Sequence, residues 1–207
     1  MDFKGSNILI TAGPTIERWD AVRYLTNMAS GNTGIRLSQS AYEANANVKL
    51  VTSLKNIKLD GVSVLHAESA LDMFAAVKKN IDSSRIFISS AAVADFRPRR
   101  IDGKIKKKDP IPSIELQRNP DILKWVGLNY PDKLIVGFSL EDKIDIELGM
   151  MKKKEKNCSI MILNDISNLD SKLRSFVVIS DRGPREYAML SLEDTSRVIL
   201  EECLKLI

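Results

Sequence analysis

The stretch Asn7-Ile-Leu-Ile-Thr11, followed directly by Ala12-Gly13-Pro14, combines a short β-branched run with turn residues and predicts a buried first strand. A long polar loop follows it. Residues 34–45 then place their apolar side chains on one helical face, and residues 47–52 return to the strand pattern. A strand, a loop, a helix and a second strand in this order indicate a parallel sheet covered by helices.

The same alternation continues toward the C-terminus, where a predicted hairpin around residues 181–184 precedes a last helix. This order favours an α/β fold of Rossmann-like, three-layer type with a mainly parallel sheet and a C-terminal β-hairpin. The predicted elements are helices over 70–79, from about 120 to 128, ending near 156 and over 192–206, and strands over 85–90, 133–138, 159–163, 176–180 and 187–190.

Residues 96–117 interrupt this alternation. The segment is too long and too charged for an ordinary connection between a strand and a helix, so we expect a protruding arm or flap over the sheet. No internal repeat, low-complexity linker or change of composition marks a second domain. We therefore expect one domain over residues 1–207.

Positive charge is concentrated in two patches. The chain has 31 Lys and Arg against 27 Asp and Glu, a net charge of +4. Residues 97–108 contain seven basic residues and one acidic residue, and residues 152–156 contain four and one. The two patches together exceed the net charge of the whole chain, so the remainder is acidic. Such local charge is typical of a site for a compact anion.

Cysteine and histidine are scarce. Cys158 and Cys203 give neither a disulfide framework nor a CxxC pair, so we expect buried thiols in a reducing compartment. With His66 as its one histidine, the chain cannot carry an HExxH or His-rich metal site. No apolar run approaches the roughly 20 residues that a membrane helix needs, and no signal-peptide pattern opens the sequence. A soluble, cytoplasmic protein is expected.

Known nucleotide-binding fingerprints are absent from the strand ends, where parallel sheets bind ligands. The first strand ends in Thr11-Ala-Gly-Pro-Thr15 without GxGxxG, and the chain has no GxxxxGK[ST]. It also lacks GxSxG, which disfavours a hydrolase. Instead, residues 23–31 lead into a helix whose N-terminus favours an anion. The alternative is a helix start capped by Ser30 or Asn32.

Four further segments carry weak signals of a site. Ser89-Ser-Ala-Ala-Val-Ala-Asp95 places small residues and a carboxylate at a strand end, although tight packing and an N-cap at Asp95 explain it equally well. Lys104-Ile-Lys-Lys-Lys108 suits either a phosphate-binding flap or a solvated loop. Asn119-Pro-Asp-Ile122 indicates a helix start with Pro120 at the first helical position. Lys152 and Lys156 share one helix face, which suits contact with one phosphate chain, although an exposed face paired with Glu155 is the commoner explanation of such a pattern.

Considered together, these segments resemble the phosphopantothenoylcysteine synthetase family. The match keeps its order and spacing over nearly the whole chain and is closer to the bacterial CTP-using branch than to the ATP-using eukaryotic one. The segments that carry it are Ile8-Leu-Ile-Thr-Ala-Gly-Pro-Thr-Ile-Glu17, Asp20-Ala-Val-Arg-Tyr-Leu-Thr-Asn27, Ala91-Ala-Val-Ala-Asp95, Lys104-Ile-Lys-Lys107, Asn119-Pro-Asp-Ile122 and Gly137-Phe138.

The resemblance implies a ligase of coenzyme A biosynthesis. In the family, CTP converts the carboxylate of 4′-phosphopantothenate to an acyl-cytidylate with release of pyrophosphate, and the amine of L-cysteine then displaces CMP. Mg²⁺ bridges the phosphates and helps the pyrophosphate to leave. The family is typically a homodimer in which an arm reaches the neighbouring subunit, and in bacteria it is often fused behind a flavin-dependent decarboxylase.

The resemblance also implies roles for individual residues. Lys104 would promote acyl-cytidylate formation, Asn27 would hold the acyl intermediate through its amide, and Arg23 would assist in the same half-reaction. Asn27, Ser30 and Gly31 would contact phosphopantothenate. Metal ligands are left open. The residues expected around CTP are Ser89, Ser90, Ala91, Asp95, Lys104, Asn119, Pro120, Asp121, Ile122, Phe138, Lys152 and Lys156.

The chain departs from the family pattern in several loops. Asp-Pro-Val-Arg becomes Asp20-Ala-Val-Arg23, and Ser-Ser-Gly-Lys-Met-Gly becomes Ala29-Ser-Gly-Asn-Thr-Gly34, so Asn32 replaces a lysine. Gly149-Met-Met-Lys152 replaces the usual Ala-Arg-x-Lys, and the family's late Gly-Phe-x-x-x-x-Asn loop is absent after Asn164-Asp165.

Three alternatives remain open at this level. A nicotinamide-dependent oxidoreductase shares the α/β topology but would need the missing GxGxxG. A nucleic-acid-binding module would use residues 97–108, which contain no aromatic side chain for stacking. A family member that binds nucleotide without turnover is compatible with the altered loops.

Overall fold

The predicted first strand forms part of a large sheet. The structure is a computed structural model and describes residues 1–107, 113–168 and 171–207. In chain order its strands and helices are β1 (Asn7–Ala12), β2 (Ile16–Arg18), β3 (Tyr24–Thr26), α1 (Asn32–Glu43), β4 (Asn47–Thr52), β5 (Ser63–His66), α2 (Ala70–Asn80), β6 (Ile86–Ser89), β7 (Phe96–Pro98), β8 (Leu116–Arg118), α3 (Ile122–Asn129), β9 (Leu134–Glu141), α4 (Ile146–Glu155), β10 (Ile160–Asp165), β11 (Arg174–Ser180), β12 (Gly183–Leu190) and α5 (Leu192–Leu204).

Eight strands form the main sheet in the order β12-β11-β10-β9-β6-β1-β4-β5. The six strands from β10 to β5 run parallel, whereas β11 and β12 join the sheet as an antiparallel hairpin. The carboxyl ends of β1, β6, β9 and β10 therefore meet at one edge of the sheet. This topology confirms the predicted Rossmann-like fold with its C-terminal hairpin.

Side chains alternate along the buried strands and supply two cores. Ile8 and Ile10 of β1 pack into a cluster with Leu37 of α1 and Leu200 of α5 on one face of the sheet. Leu9 points to the other face, where the second cluster includes residues of α2 and α3. Helices thus cover both faces, as the continuous apolar strands predicted. In the part of the chain that the structure describes, no helix is both long and apolar enough to cross a bilayer.

Some elements differ from the sequence prediction. The edge strand β5 was not predicted, because it is short and only half-buried. The polar loop after β1 contains the small hairpin β2–β3. Pro120 is not the first helical residue: α3 begins at Ile122 because the Asp121 carboxylate caps it by accepting a hydrogen bond from the Lys124 amide at 2.9 Å.

The predicted arm near residues 96–117 is built on a second hairpin, in which β7 pairs antiparallel with β8. The arm lies against the β2–β3 hairpin, because the Ile101 amide donates to the Trp19 carbonyl at 2.8 Å and the Ala21 amide donates to the Gly103 carbonyl at 3.0 Å. Lys108, the last lysine of the predicted flap, lies outside the described residues.

Candidate active site

A cleft of about 950 Å³ lies at the carboxyl ends of the parallel strands. Its walls come from the loops after β1, β6 and β9, from the starts of α1 and α3, and from α4. The sequence-predicted site residues that line it are Asn27, Ser30, Gly31, Ser89, Ser90, Ala91, Asp95, Asn119, Pro120, Asp121, Ile122, Phe138, Lys152 and Lys156.

Two buried threonines hold the loop after β6 against the loop after β1. The Thr11 hydroxyl accepts a hydrogen bond from the Ala91 amide at 3.3 Å, and the Thr15 hydroxyl accepts one from the Ala94 amide at 3.0 Å. Between them the Ala92 amide donates to the Gly13 carbonyl at 3.1 Å. These contacts fix the small-residue segment 89–95 as one wall of the cleft.

Asn27 is presented to the cleft by the β2–β3 hairpin. Its side-chain amide nitrogen donates to the Ala92 carbonyl at 2.9 Å, and the side chain is otherwise exposed. The neighbouring Thr26 hydroxyl donates to the Thr15 carbonyl at 2.8 Å. One N–H and the carbonyl oxygen of the Asn27 amide are thus left for a ligand.

The N-terminus of α1 opens onto the cleft without a side-chain cap. Gly31 is the N-cap residue, with φ of 77°. Ser30 and Asn32, the predicted caps, do not cap the helix: the Ser30 hydroxyl lies 3.5 Å from the Asn32 amide, and no acidic residue lies in the first turn. The first amides of α1 therefore remain available to an anion.

Asn119 connects the arm to the cleft. Its side-chain nitrogen donates to the Ala94 carbonyl at 2.8 Å, and its side-chain oxygen accepts from Arg97 at 3.0 Å. Its backbone amide donates to the Asp95 carbonyl at 2.8 Å. The exposed Asp95 does not cap a helix, contrary to one of the sequence interpretations, because the strand β7 follows it directly.

Two of the three lysines expected around CTP, Lys152 and Lys156, are paired with carboxylates, and their predicted partner Glu155 pairs with Lys124 instead. Lys156 forms an ion pair with Asp121, the residue that caps α3. Lys152 forms one with Glu141, and the Ser139 hydroxyl lies 3.2 Å from the Lys152 ammonium. Burial raises the pKa of Glu141, but hydrogen bonds from Lys152 and Ser139 outweigh that effect and hold it below its usual value. A phosphate that binds either lysine must compete with its carboxylate.

Arg23 and Lys104 do not line this cleft. The Arg23 guanidinium pairs with the fully buried carboxylate of Asp20 at 2.5 Å, and Lys104 is exposed on the arm. Asp20 also accepts hydrogen bonds from the amides of Val22 at 2.7 Å, Arg23 at 2.6 Å and Ile105 at 3.2 Å. Asp20 therefore brings Arg23 and the segment carrying Lys104 together, away from the cleft of their own chain.

The match to a known family extends over almost the whole chain. Residues 3–206 match the family described as the DNA/pantothenate metabolism flavoprotein C-terminal domain. The chain belongs to this family. Its membership confirms the resemblance to phosphopantothenoylcysteine synthetases that the sequence motifs predicted.

Individual members of the family agree with this assignment. Over 211 residues the chain is 36% identical to the coenzyme A biosynthesis bifunctional protein CoaBC of Bacillus subtilis, a match that covers 96% of the chain and 51% of that protein. It is 40% identical to CoaBC of Vibrio cholerae over 79% of the chain and 42% of that protein. The chain thus spans about half the length of the first of these relatives.

A crystal structure of the C-terminal domain of CoaBC superimposes on this chain with a TM-score of 0.85 and 32% identity. The match covers 98% of the chain and 96% of that domain. This match confirms the fold that the structure describes.

The sequence interpretation missed part of the cleft. Ser139 and Asn164 directly follow the predicted strands 133–138 and 159–163, so extending each strand by one residue would have found them. Arg174 and Thr195 come from β11 and α5, and no local pattern signals that the hairpin brings them to the cleft. The lining residues that were not predicted include Met28, Thr33, Arg118, Ser139, Leu140, Asn164, Asn168, Arg174 and Thr195.

Carboxylates are too dispersed to make a metal site of their own. No group of three or more His, Cys, Asp or Glu side chains that could hold a metal ion occurs among residues 1–107, 113–168 and 171–207. Of the two carboxylates that line the cleft in the described part of the chain, that of Asp121 is engaged by Lys156 and that of Asp95 is exposed and free of hydrogen bonds. One carboxylate suits Mg²⁺ that is bound mainly through substrate phosphates.

Proposed function

We propose that the cleft is the active site of a phosphopantothenate–cysteine ligase that acts in coenzyme A biosynthesis with CTP. The carboxylate of 4′-phosphopantothenate attacks the α-phosphate of CTP, pyrophosphate leaves, and the L-cysteine amine then displaces CMP from the acyl-cytidylate. The observation that carries the proposal is the convergence of Asn27, the segment 89–95 and the segment 119–122 on one cleft. Similarity to CoaBC supports it.

The chemistry needs donors and positive charge more than a strong base. A carboxylate and a triphosphate repel one another, so their approach depends on oriented amides and cations. Asn27 holds the acyl intermediate through the amide group that Ala92 orients, with Ser30 and Gly31 on the phosphopantothenate side. Asp95 would hold Mg²⁺ together with phosphate oxygens, and the ion would supply charge neutralisation for the pyrophosphate.

The nucleotide occupies the wall between β6, α3 and α4. Phe138 is half-buried at the end of the apolar part of β9 and packs against the base or the ribose. Lys152 and Lys156 line the same cleft as segment 89–95 and contact the nucleotide after its charge displaces their carboxylate partners. The other residues of this wall are Ser89, Ser90, Ala91, Asn119, Pro120, Asp121 and Ile122.

Arg23 and Lys104 act in the cleft of a second copy of the chain. Both lie outside their own cleft, on the β2–β3 hairpin and the arm. These two hairpins expose large apolar side chains, as an interface would require. The residues are Tyr24 (52% exposed), Leu25 (40%) and Leu116 (51%), while the exposed Phe96 also lines the cleft of its own chain. We infer a homodimer in which each arm completes the neighbouring site.

The remaining features fit this assignment. The continuous eight-stranded sheet supports a single domain over residues 1–207. Cys158 and Cys203 are buried free thiols, which suits a reducing cytoplasm. Burial raises the pKa of each to about 12, so neither thiol is reactive at neutral pH. A decarboxylase partner or fused domain would carry out the following step, the decarboxylation of the cysteine carboxylate in the ligase product.

One alternative retains specific support. Asn32 replaces the lysine of the family's helix-start loop, and the late loop after Asp165 is altered, so a member that binds nucleotide without turnover remains the second candidate. The interpretation as an NAD(P)-dependent oxidoreductase is not favoured, because the chain belongs to the pantothenate family.

The direct test is pyrophosphate release from CTP and Mg²⁺ with 4′-phosphopantothenate, before and after L-cysteine is added. We expect slow or stoichiometric release that cysteine converts to steady turnover, little activity with ATP, and no activity in Lys104→Gln. Lys58→Gln, an exposed lysine outside the cleft, is the matched control and keeps wild-type activity. Nucleotide binding without release by folded protein would favour the second candidate.

A further inference from the structure

One buried hydroxyl in the cleft lacks a hydrogen-bond partner. Thr195 lies in the first turns of α5 with only 3% of its surface exposed, and within the described residues its hydroxyl oxygen contacts no donor or acceptor. A buried helical threonine usually donates to the carbonyl four residues earlier, and Thr195 does not. Because Thr195 lines the cleft, its unpaired hydroxyl can be satisfied by a bound ligand.

A cationic side chain, Arg174, lines the same cleft. The Arg174 guanidinium, at the start of β11, is half-buried and donates to the Ser171 carbonyl at 3.2 Å. No carboxylate of residues 1–107, 113–168 or 171–207 forms an ion pair with it, in contrast to Lys152 and Lys156. Burial lowers the pKa of Arg174, which reflects an incompletely compensated positive charge.

The fold brings Arg174 and Thr195 close to the start of α1. Arg174 is opposite Leu190 in the β11–β12 hairpin, and Leu190 directly precedes Ser191, the N-cap of α5. The helix α5 packs along α1, where Arg36 and Glu193 form an ion pair at 3.2 Å. Gly31 and Thr33 from the uncapped start of α1 line the same cleft as Arg174 and Thr195.

We propose that Arg174, Thr195 and the N-terminus of α1 form a phosphoryl-binding subsite of the cleft. Each of the three offers N–H or O–H donors, and a phosphoryl group offers only acceptors and negative charge. Arg174 thereby supplies the positive charge that Asn32 does not provide at the start of α1. The assignment of this phosphoryl group to a substrate rests on the proposed function, which involves two phosphorylated ligands.

Binding measurements on the full chain test the subsite without requiring turnover. Affinities are measured by calorimetry for CTP, cytidine, phosphopantothenate and pantothenate with wild type, Arg174→Met and Thr195→Val. Arg182→Met, an exposed arginine outside the cleft, is the matched control. Arg174→Met is expected to weaken one phosphorylated ligand roughly tenfold or more, because the lost contact is a hydrogen bond to a charged group. The affinity for the unphosphorylated counterpart of that ligand is expected to stay at the wild-type value.

The two ligand pairs identify the source of the phosphoryl group. A selective loss with CTP assigns the subsite to the nucleotide, and a selective loss with phosphopantothenate assigns it to the acid substrate. Thr195→Val is expected to weaken the same ligand several-fold and to leave the melting temperature unchanged or raised, since the unpaired hydroxyl is removed. A purely structural threonine would instead lose stability.

The proposal is overturned if Arg174→Met and Thr195→Val leave all four affinities at wild-type values, or if they weaken the phosphorylated and unphosphorylated ligands equally. If phosphorylated ligands bind selectively but the protein forms no amide product with CTP and cysteine, the subsite stands and the ligase proposal fails.

Discussion

At the scale of single residues, Thr15 connects three segments of the site. It is fully buried, its amide donates to the Ala92 carbonyl at 3.2 Å, and its hydroxyl accepts from the Ala94 amide at 3.0 Å. Its carbonyl accepts from the Thr26 hydroxyl at 2.8 Å, next to Asn27. The orientation of Asn27 therefore depends on a residue that does not line the cleft.

We predict that Thr15→Val lowers both stability and ligand affinity. Valine keeps the shape but leaves the Ala94 amide without an acceptor, which costs about 1–3 kcal/mol in a buried position. Urea denaturation measures the stability, and calorimetry measures the affinity for CTP. Thr26→Val is the control: its hydroxyl is exposed, so water replaces the lost contact and the effect is smaller. Equal losses in the two variants would contradict this account.

The sequence identifies those residues of the cleft that follow a strand end or belong to a family motif. Asn27, Asp95 and Lys156 belong to motifs with recognisable spacing, and the structure places all three at the cleft. Thr195 has no such signal, because its approach depends on how α5 packs along α1. The sequence also did not predict that Glu141 would pair with Lys152, since this contact joins two different elements, β9 and α4.

At the scale of elements, Asp20 holds the arm on the β2–β3 hairpin. Burial opposes ionisation of its carboxyl, but hydrogen bonds from the amides of Val22, Arg23 and Ile105 and the charge of Arg23 outweigh this effect. The pKa of Asp20 falls to about 2, from an ordinary value of 3.8. Because the folded-state pKa is depressed, the carboxylate stabilises the folded state above pH 3.8, and this stabilisation is lost as the pH falls toward 2.

We predict a pH-dependent difference between wild type and Asp20→Asn. The wild type should melt at the higher temperature at neutral pH, because the amide of asparagine lacks the charge that pairs with Arg23. The advantage should shrink between pH 3.8 and about pH 2, where the wild-type carboxyl becomes protonated. Thermal unfolding of both proteins at several pH values measures this difference in melting temperature. A difference that stays constant down to pH 2 would show that Asp20 does not act through its charge.

The sequence placed correctly those strands and helices whose hydrophobic periodicity matches the burial of their side chains. The strand β1, which is buried from Ile8 to Ala12, and the helix α2, with its Ser69–Asp72 capping box, lie where the sequence placed them. The edge strand β5 was missed because an edge position needs few buried side chains. The start of α3 was placed too early because the carboxylate of Asp121 caps the helix after Pro120.

At the scale of the whole molecule, the two hairpins leave the main sheet on the side of the cleft and expose apolar surface. The β2–β3 hairpin carries Arg23 and Asn27, yet Asn27 faces its own cleft and Arg23 does not. One hairpin can therefore serve two sites if two copies of the chain associate through it.

We predict that two inactive variants restore activity when they share a dimer. A mixed dimer of Lys104→Gln and Asn27→Ala contains one intact site if Lys104 acts on the neighbouring cleft. Random assembly of equal amounts should then give about a quarter of wild-type activity, since half of the dimers are mixed and each has one working site. The two variants are co-expressed with different affinity tags, so that mixed dimers can be isolated, and turnover assays measure the restored activity.

The control pairs Asn27→Ala with Asp95→Asn, which line the same cleft, so that no mixed dimer contains an intact site and activity stays absent. If the mixture with Lys104→Gln is equally inactive although mixed dimers are isolated, Lys104 does not act across the interface.

The central claim is that this cleft activates a carboxylate by joining it to CMP. The most direct measurement uses 4′-phosphopantothenate with ¹⁸O in its carboxylate, together with CTP, Mg²⁺ and L-cysteine, and follows the isotope by mass spectrometry. Attack of the carboxylate on the α-phosphate transfers one ¹⁸O atom to CMP, and pyrophosphate stays unlabelled. Label in CMP together with amide product is the result we predict. Label in phosphate or pyrophosphate, or amide product without labelled CMP, would contradict the proposed mechanism.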